Sequence, residues 1–108
     1  MSNKKKLIRE GFRNACYQRD NYKCVMCHFK STKEKAEQDL DAHHVTDRNL
    51  LPNGGYVKEN GISLCAPCHI KAEIFHSTGA PHPGYSVEDL YLKINSSLEK
   101  ATKASEKL

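Results

Sequence analysis

With 108 residues, the chain is long enough for one modest core and short enough that a metal, a disulfide or a partner is normally needed to stabilise it. Only 38% of the residues are hydrophobic, tryptophan is absent and no run is apolar enough to span a membrane, so no membrane partner is expected. The formal charge of +4 is uneven: the first 30 residues carry eight Lys or Arg against Glu10 and Asp20, which leaves the remainder at −2, and such a basic head suits either a polyanion or a solvated helix face.

From Leu7 to Tyr17 apolar residues recur at three- and four-residue steps, which predicts an amphipathic helix, with its basic boundaries at about 5–19. Asp20-Asn21 supplies turn chemistry just before the first cysteines. Ser31 to Asp39 is polar and reads as a loop or a short exposed helix. The segment 40–46 ends in β-branched residues and reads as a strand, Asp47 to Asn60 as a loop around Pro52 and Asn53-Gly54-Gly55, and Ile62-Ser63-Leu64 as a second strand running into Cys65. A helix follows from Ala66 to about Ser77, stopped by Gly79. Ser86-x-x-Asp89 resembles a capping box opening a helical extension at about 86–107, striped by Val87, Leu90, Tyr91 and Ile94. The tail from Ser96 is rich in Lys, Ala and Ser and is expected to fray.

Four of the five cysteines form two Cys-x-x-Cys pairs, Cys24/Cys27 and Cys65/Cys68. Each such knuckle turns two thiolates towards one ion, so two knuckles predict a tetrahedral structural zinc site. The intervening residues 28–64 exceed the usual zinc-ribbon spacing, so the ion would clasp the base of an insert. Cys16 has no partner and reads as a small buried helix residue. Nothing at the N-terminus reads as a secretion signal, which favours a reducing cytoplasm and metal over disulfides. Both pairs are followed by a histidine, His28 and His69, and so satisfy the rule for c-type haem attachment; that chemistry needs export, and no haem is expected.

The insert carries His43 and His44. Neighbouring side chains on an extended strand point to opposite faces, so the two favour different tasks, one as a metal ligand and one as a base. His69 follows Cys68 in the first turns of the helix predicted from Ala66, where it can face His43. Residue 73 lies one helical turn further on the same face, and His76 another turn along. Glu73 could therefore ligate, orient His69 or pair with Lys71. His28 and His82 read as ordinary surface histidines.

Taken together, Arg19-Asp20, Cys24-x-x-Cys27, Leu40-Asp41-Ala42-His43-His44-Val45, Asn60-Gly61-Ile62-Ser63-Leu64-Cys65 and Cys65-x-x-Cys68-His69 resemble the HNH endonuclease family over about residues 17–76. The resemblance implies a small α+β fold. Its ββα-metal (His-Me finger) core, at about 20–78, is stapled by the four-cysteine zinc and flanked by N- and C-terminal helices within a single domain, 1–108. It implies His44 as general base and Asn60 as the residue that holds loop and base in orientation. His43 and His69 become ligands of a catalytic divalent ion, Mg2+ or Mn2+, with Ni2+, Co2+ and Zn2+ also compatible. The implied partner is DNA, in double-stranded form, contacted by Lys4, Lys5, Lys6, Arg9, Arg13, Arg19 and Arg48, and the implied activity is its nicking or cleavage by a monomer or homodimer. A cytoplasmic protein encoded by a bacterium or phage is expected. The rival reading is a non-catalytic zinc module that binds nucleic acid or protein; it accounts for the cysteines and the basic head but leaves the histidine pair and Asn60 without a role.

Overall fold

The computed structural model describes residues 2–108. Helix α1 (Ser2–Arg19) buries only its C-terminal half, through Phe12, Cys16 and Tyr17, while Leu7 and Ile8 stay exposed. The expected apolar stripe is therefore used for two turns, and the lysine-rich first turns project beside the body. Asp20 ends the helix, and the positive φ of Asn21 and Tyr22 turns the chain. The knuckle that follows closes on itself through Cys24 N–H to Phe29 O (2.8 Å) and docks on the sheet through Val25 N–H to Ser63 O (3.0 Å). The polar stretch after it contains one helical turn, α2 (Ala36–Asp39).

Strands β1 (Leu40–His44) and β2 (Gly61–Cys65) pair antiparallel, with His43 opposite Ile62 and His44 opposite Gly61. Every residue of β2 is buried. Side-chain alternation sends the two faces of this small sheet to different neighbours. Helix α3 (Ala66–Thr78) packs on one face. Helix α1 packs on the other, and Gly61 permits its close approach: a Cβ there would meet Cys16 Sγ at 2.3 Å and the Phe12 ring at 2.6 Å. Between the strands, residues 45–60 run through three short 3-10 turns rather than an open loop.

Gly79 ends α3 in the left-handed conformation, its N–H bonding Phe75 O, as the sequence predicts. The Ser86–Asp89 capping box forms and opens α4 (Val87–Lys93). The extension does not run on as one helix, nor does the tail fray. Asn95, at φ 54, breaks the chain, Ser97 caps a separate helix, α5 (Leu98–Glu106), and Ala101 and Ser105, one turn apart, are fully buried. Small residues spaced by four give a flat face that packs closely on the 52–55 turn, where Asn53 Nδ2 donates to Ser105 O (2.9 Å). No helix among the described residues is long and apolar enough to cross a membrane.

Candidate functional site

The structure brings the four paired cysteines together, with ligand sulfurs all within 4.8 Å of one another. Cys24 and Cys27 come from the knuckle, Cys65 from the last position of β2 and Cys68 from the first turn of α3. Four thiols at that spacing are the donor set of a closed tetrahedral zinc site, and the cluster fits a structural zinc. Tyr85 O–H donates to Cys68 Sγ (3.4 Å), an outer contact of the kind that steadies a metal thiolate.

A second cluster lies on the α3 face of the sheet. His43 Nδ1 and His69 Nε2 stand 3.1 and 3.2 Å from the same oxygen, Oε1 of Glu73. On its other side His69 Nδ1 faces Asp41 Oδ2 at 3.2 Å. Carboxylate oxygens only accept, so an imidazole nitrogen facing one needs a proton or a cation between them. With carboxylates on both sides of His69, a cation can take one of those two places. His43 is 2% exposed, and burial first, then the neighbouring imidazoles, pull it down to about 3, so it is neutral at pH 7 with its buried Nε2 unpartnered. Two imidazoles and a carboxylate converging in this way fit a divalent ion of the Mg2+ to Zn2+ range.

His44 points the other way, as alternation requires. Its ring stacks on Phe12 of α1 (4.6 Å between centroids) and meets Tyr56 edge-on (4.8 Å, 90°). Burial, with the Arg48 charge second, brings it down to about 4, and a neutral imidazole keeps a lone pair free for a proton. His76 Nε2–H donates to the backbone carbonyl of His44 (3.2 Å), which pins the end of β1 to α3. His43, His44, Arg48, His69, Glu73 and His76 all border one open cleft of about 400 Å³.

Asn60 is fully buried beneath this cleft. Its Oδ1 accepts from Thr46 N–H (2.9 Å) and Tyr91 O–H (2.9 Å), and its Nδ2 donates to Thr46 O (3.0 Å) and Gly55 O (3.3 Å). All four hydrogen-bonding positions of the amide are thus filled. The bonds tie the chain two residues after His44 to the start of β2 without touching the cleft.

The basic residues separate into groups. Lys4, Lys5, Lys6, Arg9 and Arg48 are exposed. Arg13 pairs with Glu37 (3.4 Å). Arg19 is directed inward: it forms a two-pronged pair with Asp20 (2.8 and 2.8 Å) and donates to the carbonyls of Lys58 and Gly61. Asp20 in turn accepts from Ser63 N–H (3.0 Å). This Arg-Asp pair fastens α1 to β2, and four of the five guanidinium N–H donors of Arg19 are used within the fold. Sequence reasoning missed Asp41, Phe12 and Tyr56. Asp41 was within reach, since it lies two residues before His43 and so shares its face of the strand; the two aromatics meet His44 only through tertiary packing.

A short hairpin running into a helix, with a thiol tetrad at its base and a His-His-Glu cluster bordering a cleft, defines a small α+β metal-site domain. Residues 24–73 match the family model described as HNH endonuclease. No curated protein matches the chain, and no solved structure does. A match to that nuclease family points to nucleic-acid binding and the use of divalent metals.

Proposed function

We propose that the protein is a metal-dependent endonuclease that hydrolyses phosphodiester bonds of double-stranded DNA, with His44 as the general base. The observation that carries this reading is the meeting of His43, His69 and Glu73 on one point of a cleft that His44 also borders. A divalent ion held by those three side chains would supply the positive charge that a crowded phosphate and a departing oxygen require.

The chain's own residues supply the rest. His44, neutral at pH 7 and fixed between Phe12 and Tyr56, accepts a proton from water. The water oxygen forms its bond to phosphorus as the bond from phosphorus to the 3′-oxygen breaks. Arg48, exposed at the rim, presents a guanidinium to the backbone. Asp41 holds the His69 ring in place, and Asn60 holds the loop on which the base depends. The non-catalytic zinc module accounts for none of the cleft.

A supercoiled-plasmid assay with Mg2+, Mn2+, Ni2+ or Co2+ tests the reading. Wild-type protein is expected to nick or linearise the plasmid with at least one ion, and His44→Ala to lose roughly 10²–10⁴-fold in rate while still binding DNA. A His44→Ala protein that cuts at the wild-type rate would remove His44 from the mechanism.

A further inference from the structure

A second cleft is linked to the first by Tyr56, which contacts His44 and Arg48. It measures about 280 Å³ and is lined by Lys5, Ile8, Arg9, Asn53 and Tyr56. We propose that it holds the backbone phosphate next to the one being cut, with Tyr56 as the wall that joins it to His44 and Arg48 of the first cleft; the proposal rests on the nuclease reading above.

Three observations support the assignment. Tyr56 touches both sites: its ring meets His44 edge-on at 4.8 Å, its hydroxyl accepts from Arg48 Nη1 at 3.2 Å, and its other side lines the second cleft. Burial alone would push its phenol up, but Arg48 and Arg9 together hold it below the usual tyrosine range. The phenol thus sits between one arginine from each cleft.

Charge selects this cleft over its neighbour. The lining carries two cations and no carboxylate. The neighbouring depression, about 540 Å³, shares Lys5 and Arg9 and adds Lys6 and Arg13, but it also holds Glu10 and Glu37, and Arg13 is already paired with Glu37. A phosphate seated on the Tyr56 side of Lys5 and Arg9 meets their charge with no carboxylate in the lining. Ile8 and the Tyr56 ring add an apolar floor of the kind on which a sugar or base rests beside its phosphate.

The wall itself is built rather than incidental. Asn53 and Gly54, at φ 55 and 81, form the turn before Tyr56. A Cβ on Gly54 would meet the Tyr56 ring at 2.8 Å, so that ring pose requires glycine. Asn53 is anchored to Ser105, which gives α5 a purpose: it braces the wall from behind.

The test compares wild type with Lys5→Ala/Arg9→Ala on two substrates in Mn2+: duplex DNA and bis(4-nitrophenyl) phosphate, a diester with no neighbouring phosphate. On DNA, KM is expected to rise roughly tenfold and the salt dependence of kcat/KM to become shallower by about 2 in log–log slope. The ratio of DNA to ester turnover should fall about tenfold. Equal losses on both substrates, or a duplex-binding isotherm and salt slope matching wild type, would overturn the subsite while leaving the nuclease reading intact. Wild-type protein inert towards both substrates would instead overturn the nuclease reading and the subsite with it.

Discussion

Strand β2 links two clusters of metal-type ligands that differ in access. At its Cys65 end four sulfurs face one another and none borders the cleft. Beside its other end, His43 and His69 from two elements meet an exposed carboxylate at the edge of an open cavity. A closed set of four soft donors satisfies an ion completely and holds chain together; an open set of three leaves positions for oxygen ligands. The number of donors thus separates the structural role from the chemical one: four sulfurs close on one another even though Cys27 is exposed, while the His-His-Glu set borders the cleft.

The comparison can be broken at either end of β2. Cys65→Ser leaves one knuckle with a single sulfur and is expected to have the largest effect, since ligation in small zinc domains is worth about 10–16 kcal/mol and is inseparable from folding. Zinc content by chelator absorbance should fall to near zero and the cooperative melt should vanish in circular dichroism; one bound equivalent with a wild-type melt would contradict a structural role. Gly61→Ala acts at the other end, opposite His44. The added methyl collides with Cys16 and Phe12, an overpacking that costs about 1–3 kcal/mol. It should lower the melting temperature by several degrees and slow DNA cleavage, because Phe12 carries the His44 ring, yet leave zinc content at one equivalent. A variant that lost its zinc would show that the two ends are not separable.

Much of the fold was legible because its signals are local. The Cys-x-x-Cys pairs, the two strands flanking a Gly-rich loop, Gly79 and the Ser86–Asp89 box each follow from a few adjacent residues. The break at Asn95 and the docking of α5 were not legible: the buried face of that helix includes Ala101 and Ser105, which matter because they are small. The inward contacts of Arg19 were not legible either, since its four acceptor oxygens, on Asp20, Lys58 and Gly61, come together only in the fold. In the site, helical spacing put Glu73 beside His69, and strand alternation separated His43 from His44. Phe12 and Tyr56 could not be read, because their contact with His44 joins three segments that share no pattern.

The most direct measurement is a Mn2+ titration of the zinc-loaded protein, followed by calorimetry or electron paramagnetic resonance. Wild type should take up one further equivalent, and His69→Ala and Glu73→Ala should each weaken that uptake at least tenfold while keeping their zinc. Mn2+ bound with unchanged affinity by both variants would contradict the assignment of the His43, His69 and Glu73 cluster as the catalytic ion site.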